Sequence, residues 1–142
     1  MLIDSNILIY AINADSQKHE LAKRFLKANI NDLEVSHQNI LETLRVITHT
    51  KFPNRFNTKE AIKAIHGITE ACRLVVPNKI TYHIAVELIS EHNLLGNRIF
   101  DAYLAATALS NDIDVIATDN VRDMGKFEGI KVINPFAQKL TN

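Results

Sequence analysis

The sequence has 142 residues, 46% hydrophobic and 23% charged, with 16 Lys and Arg balanced by 16 Asp and Glu. That composition fits one globular domain over residues 1–142 and argues against a disordered or fibrous chain. A formal net charge of zero neither requires nor excludes a nucleic-acid partner, while the single cysteine, Cys72, rules out an intramolecular disulfide and a Cys-rich zinc site and points to a reducing, cytoplasmic setting.

In chain order, Met1-Leu2-Ile3-Asp4 lacks a basic leader and does not read as a signal peptide. No stretch approaches about 18 uninterrupted apolar residues, so no membrane association is expected. Leu2-Ile3 reads as a short buried strand, and Asp4-Ser5-Asn6 supplies acceptors for the free N–H groups of a helix that continues through Ile7, Leu8 and Ala11. Ser16 is placed to cap a second helix, with Leu21, Ala22, Phe25 and Leu26 as its apolar stripe. Leu33 and Val35 mark a second strand. Gln38 to Thr50 then reads as a helix with Ile40, Leu41, Leu44 and Ile47 inward.

Lys51 to Asn57 is a loop around Pro53, and Asn57 with Glu60 forms a capping-box pattern ahead of a helix carrying Ala61, Ile62, Ile65, Ile68 and Cys72. Leu74-Val75-Val76 reads as a third strand. Thr81 to His92 follows as a helix with Ile84, Ala85, Leu88 and Ile89 inward, and Asp101 opens an alanine-rich helix. Val115-Ile116-Ala117 and Ile130 to Ile133 are the last two strands. Strands alternating with helices predict a three-layer α/β domain, a short, mainly parallel sheet of four to five strands flanked by helices.

In such sheets ligands sit beyond the carboxyl ends of the strands. Asp4 lies at that end of the first strand, and Asp119 and Asp123 follow the fourth. Glu42 lies early in the helix after the second strand. Asp101 begins a helix that must start at the same edge in order to feed the fourth strand from below. Five acids far apart in sequence are thus predicted to share one edge. Clustered carboxylates repel each other unless a cation intervenes. Mg²⁺ and Mn²⁺ favour such oxygen ligands, and an ion held there activates water and offsets charge on a phosphodiester. Asp4 and Asp101 are the expected metal ligands; Glu42 and either Asp119 or Asp123 act directly or through water. Ser5, Asn6 and Asn120 are candidates for supporting hydrogen bonds, and Arg98 for a phosphate contact. His37 lies near the end of the second strand, within reach of the cleft. The six histidines show no zinc spacing, and Lys51, Arg55, Lys59 and Lys63 read as a solvated basic face.

Four segments together resemble a known family. MLIDSNILIYA (Met1 to Ala11) resembles the opening of PIN domains, and QNILETLRVI (Gln38 to Ile47) their second motif, with Glu42 as its acid. GNRIFDAYLAATA (Gly96 to Ala108) is similar to the third, with Asp101, and IATDNVRDMGKF (Ile116 to Phe127) to the fourth; Asn134-Pro135-Phe136 is similar to the usual ending. The fourth departs from the common pattern: Asn120 and Asp123 fit, Met124 replaces an aromatic residue, and Asp119 stands one place early. The length looks most like the VapC-type toxins of toxin–antitoxin pairs. That resemblance implies an endoribonuclease that uses Mg²⁺ or Mn²⁺ and leaves a 5′-phosphate and a 3′-hydroxyl. It also implies a homodimer and a cognate antitoxin that plugs the acidic cleft. The alternative is a PIN-like module that binds RNA or protein without cutting. An aspartate-nucleophile phosphatase is disfavoured, because Asn6 stands where its second acid belongs, and no Gly-rich phosphate loop is present.

Overall fold

The structure is a computed structural model that describes residues 1–137. Five strands, β1 (Leu2–Ile3), β2 (Glu34–Ser36), β3 (Arg73–Val75), β4 (Val115–Ala117) and β5 (Lys131–Ile133), form one sheet in the order β3-β2-β1-β4-β5. Every pairing is parallel. The helices among the described residues are α1 (Ser5–Ile12), α2 (His19–Ala28), α3 (His37–Ile47), α4 (Thr58–Thr69), α5 (Thr81–Glu91), α6 (Arg98–Leu109) and α7 (Val121–Met124). None is long and apolar enough to cross a membrane.

The central strand is only two residues long, and strand geometry sends them to opposite faces. Leu2 packs with Ile116 and Val75 against Ala85 and Leu88 of α5 and Leu104 and Ala105 of α6. Ile3 packs with Ala117 and Val35 against Ile7 and Leu8 of α1 and Leu26 of α2. A smaller cluster of Ile47, Ala61 and Ile65, with Phe52 and Phe56, joins α3 to α4. This is the expected three-layer α/β architecture. The alanines of α6 do the work their size suggests: Ala102, Ala105, Ala106 and Ala108 are fully enclosed, letting the helix lie close to the sheet and to α5.

Several local expectations are corrected. Leu41 is 64% exposed and does not face the core. The buried face of α3 is Asn39, Thr43 and Ile47, spaced four residues apart, and at about 100° per residue Leu41 falls well to one side of it. Hydrophobic pattern failed because two of those positions are polar, with hydrogen bonds to the helix's own first turns. Asn39 completes the capping box with Ser36, and the Thr43 hydroxyl donates to the Asn39 carbonyl at 2.7 Å. Helix α2 starts at His19 without a side-chain cap; the Ser16 hydroxyl instead accepts from the Lys18 amide in the preceding turn, at 3.1 Å. Leu21 and Ile62 lie at exposed helix edges. Strand β3 begins at Arg73, whose guanidinium pairs with the buried Glu34 carboxylate of β2, and it leaves Val76 outside. Helix α3 ends at Ile47, α6 starts at Arg98, and α7 occupies a stretch with no helical periodicity of its own.

Candidate active site

The chain runs outward from β1 to β2 and β3 on one side, then returns to β4 and β5 on the other. The crevice between the carboxyl ends of β1 and β4 is the switch point where open α/β sheets bind ligands. Asp4 is the first residue beyond β1 and Thr118 the first beyond β4.

Asp4 is almost enclosed, at 9% exposure, yet its carboxylate is surrounded by donors. Oδ1 accepts from the Ser5 amide at 2.7 Å, which also caps α1. Oδ2 accepts from the Thr118 hydroxyl at 2.7 Å and from Asn6 Nδ2 at 2.9 Å. The Ser5 hydroxyl lies 3.3 Å from Asp4 Oδ1 and 3.0 Å from Glu42 Oε2, so one proton is placed between two acids. Burial nevertheless pushes the Asp4 carboxyl above the usual carboxylate range; its hydrogen bonds oppose that shift and the Glu42 charge adds to it.

Glu42 is reached from α3, where Gln38 Nε2 donates to its Oε1 at 2.9 Å. Asp101 enters from the first turn of α6. Its carboxyl is pushed up to about 6, first by burial and then by the negative charges of Asp4, Asp123 and Glu42, with Lys126 as the opposing cation. Asp4 and Glu42 thus share the Ser5 hydroxyl, and the charges of Asp4, Asp123 and Glu42 all act on Asp101.

Asp119 faces elsewhere. Its carboxylate is ion-paired with Lys18 and accepts from the Tyr10 hydroxyl at 3.0 Å. Lys18 Nζ also lies over the rings of Tyr10 and Phe136, 4.9 and 5.3 Å from their centroids. The two rings meet edge to face at 5.1 Å. Asp119 is thus neutralised by a tether between the β4–α7 loop and the segment joining α1 to α2. Its backbone amide donates to Asn6 Oδ1 at 3.2 Å, which fixes the amide whose other end holds Asp4.

Of the remaining expected residues, Asn120 contributes a backbone amide, donating to Thr118 Oγ1 at 3.0 Å. Arg98 is exposed at the start of α6. His37 is exposed at the start of α3 and lines a groove beside the acids. Lys51, Arg55, Lys59 and Lys63 are all exposed. Sequence reasoning missed Thr118, Gln38, Lys126 and the Tyr10–Lys18 tether. The signal for Thr118 was available: a hydroxyl residue closing an apolar strand at the edge where the acids collect.

Among the described residues no three His, Cys, Asp or Glu side chains close in far enough to grip an ion directly. Asp4, Glu42, Asp101 and Asp123 make an open, all-oxygen, anionic set, with Lys126 acting on Asp101 as the opposing charge. Such a donor set fits Mg²⁺ or Mn²⁺, ions that keep several waters and take only one or two carboxylates directly.

The PIN domain family profile matches residues 1–126. The chain belongs to the PIN-domain family. Among curated relatives of this PIN domain, ribonuclease VapC37 of Mycobacterium tuberculosis is 26% identical over 140 residues, covering 94% of this chain and 96% of that protein. Ribonuclease VapC24 of the same species is 27% identical over 137 residues, 94% of each chain. Among solved structures, VapBC2 from Rickettsia felis bound to a fragment of its promoter DNA matches with a TM-score of 0.72 at 14% identity, covering 94% of this chain and 96% of that one. VapC20 of Mycobacterium tuberculosis, described as a sarcin–ricin loop cleaving toxin, matches with a TM-score of 0.69 at 16% identity, over 87% and 92% of the two chains. These structural likenesses establish a shared PIN fold.

Proposed function

We propose that this PIN domain is a divalent-metal-dependent endoribonuclease and the toxin member of a toxin–antitoxin pair. One observation carries the reading: at the carboxyl end of β1 the Ser5 hydroxyl joins Asp4 to Glu42, and the charges of Asp4, Glu42 and Asp123 act on Asp101. Membership of the PIN family, and relatives named as ribonucleases over nearly their whole length, support the choice of RNA as substrate.

In this reading Asp4 and Asp101 would hold Mg²⁺ or Mn²⁺, and Glu42 and Asp123 would act on it directly or through water. When bound there, the ion supplies a Lewis acid that lowers the pKa of water and offsets charge on the scissile phosphodiester. The chain's own residues fix the geometry. Thr118, Asn6 and the Ser5 amide orient both oxygens of Asp4, and Gln38 and Ser5 orient those of Glu42. Asp123 rather than Asp119 is the fourth acid, because Asp119 already has a cation of its own. A cognate antitoxin and a homodimer are part of the proposal; a toxin–antitoxin complex from Klebsiella pneumoniae, similar in fold over 95% of this chain, supports the pairing.

The test is RNA cleavage by purified protein with Mn²⁺, with Mg²⁺ and with EDTA. Cleavage is expected only with a divalent ion, and Asp4→Asn is expected to abolish it while the melting temperature moves by no more than a few degrees. Full cleavage in EDTA, or by Asp4→Asn, overturns the reading. Metal-independent RNA binding without any cutting would favour a binding module instead.

A further inference from the structure

We propose that the groove between α3 and α6 seats one unpaired RNA base next to the scissile phosphate, with Phe100 as the stacking face. The proposal rests on the ribonuclease reading. The groove has a volume of about 770 Å³ and is continuous with the acid ring, since Glu42 and Asp101 form part of its wall. That volume lies within the range of roughly 300–1,000 Å³ typical of small-ligand sites.

Phe100 is 56% exposed although it is aromatic and stands beside an acid of the ring. The backbone that carries it is held in place. Its carbonyl accepts from Gln38 Nε2 at 3.0 Å, and the same amide nitrogen donates to Glu42 Oε1 at 2.9 Å. One side chain thus ties the α6 backbone at Phe100 to Glu42. Leu41 and Tyr103 extend the apolar surface, while Arg45, His37 and Asn97 make the rest of the wall polar.

An apolar floor with a mixed, charged wall suits a flat ring with hydrogen-bonding edges better than an aliphatic helix, which would strand Arg45, Glu42 and Asp101 against carbon. Asp101 and Arg45 line the same groove as Phe100, which places an acid of the site and a cation available to a phosphate on its wall. Stacking on Phe100 needs a base already out of a duplex, so the substrate class is single-stranded RNA or an unpaired loop.

The sequence contains no tryptophan, so Phe100→Trp gives a unique fluorescent reporter. It is titrated in EDTA with a short adenosine-rich single-stranded oligoribonucleotide and with the same strand in a duplex. Leu95→Trp, at an 81% exposed position outside the groove, is the control. Saturable quenching is expected for Phe100→Trp with the single strand, at least tenfold weaker binding of the duplex, and no saturable response from the control. In cleavage assays Phe100→Ala is expected to raise KM about tenfold with kcat within about threefold, and Phe100→Tyr to restore KM.

Absence of saturable quenching, or an unchanged KM in Phe100→Ala, overturns the proposal. So does sedimentation showing that Phe100→Ala dissociates a dimer, which would assign the face to a second copy of the chain. If the wild type cleaves no RNA, the ribonuclease reading falls by itself. The titration still decides the groove: quenching keeps it as an RNA seat, and silence ends it.

Discussion

Thr118 illustrates how much a single buried hydroxyl carries here. It donates to Asp4 and accepts from Asn6 and from the Asn120 amide, which exhausts its hydrogen-bonding capacity. Thr118→Val keeps the shape but strands two donors, and should cost about 1–3 kcal/mol in chemical denaturation. The same variant should lower Mn²⁺-dependent cleavage on the order of 10–100-fold by releasing Asp4, with Thr118→Ser recovering most of both. The two fourth-motif acids separate by the same logic. Asp123→Asn should reduce cleavage by on the order of 10–100-fold, whereas Asp119→Asn, which loosens only the Lys18 tether, should leave it within about threefold. Sequence alone left these two open because their spacing places both at the right edge; only the Lys18 and Tyr10 contacts show which one is already spoken for. Asp101 makes a prediction about pH. Burial and the neighbouring acids push its folded-state carboxyl up to about 6, above the ordinary carboxylate range, so the folded protein binds the proton more tightly than the unfolded chain. The stability this contributes is fully present below the unfolded value and is lost as pH rises through about 6. In EDTA the melting temperature should therefore fall between pH 5 and about pH 7.5, and Asp101→Asn should flatten that slope and melt higher than the wild type at the alkaline end.

Individual elements were legible where local chemistry and burial agree. The five strands stand out as short apolar runs bounded by polar residues, and the Asn57–Glu60 capping box appears as expected, with the Glu60 amide 2.9 Å from Asn57 Oδ1. Elements were misread where polar residues face inward. Helix α3 is the clear case: its buried face is Asn39 and Thr43 as much as Ile47, so apolar periodicity pointed toward Leu41. Helix α7, four residues long, is set by its attachment to β4 and β5 through the fully buried Met124, a tertiary effect that no local pattern announces. Ser36 shows the link between an element's start and the site. It caps α3 through a reciprocal pair with Asn39, in which its hydroxyl lies 2.6 Å from Asn39 Oδ1. Ser36→Ala should destabilise the protein by about 1–2 kcal/mol in denaturant melts. Hydrogen exchange should report fraying of the first turn that carries Gln38, the support of Glu42.

At the scale of the whole molecule, the fold is a device for converting sequence separation into proximity. Parallel strands with returning helices bring Asp4 and Asp123 to one lip, and that part of the site followed from strand order alone. Distances within the ring did not, because they depend on helix rotation and on hydroxyls such as Thr118. A ligand that binds only the folded ring must stabilise it. At about 100 times its Kd, Mn²⁺ should add about 2.7 kcal/mol to the wild type and far less to Asp4→Asn, readable as a metal-dependent melting shift. The same lip is where α1, α3 and α6 all begin. The free amides of a helix's first turn and the positive end of its macrodipole lie at that terminus, together equivalent to roughly half a unit charge per helix. Asp4 caps α1 and Asp101 lies in the first turn of α6, so these two carboxylates sit at such ends. The peptide backbone thus offsets part of the repulsion among the acids, by an amount that side-chain substitution leaves untouched, and the remainder is left for a bound cation.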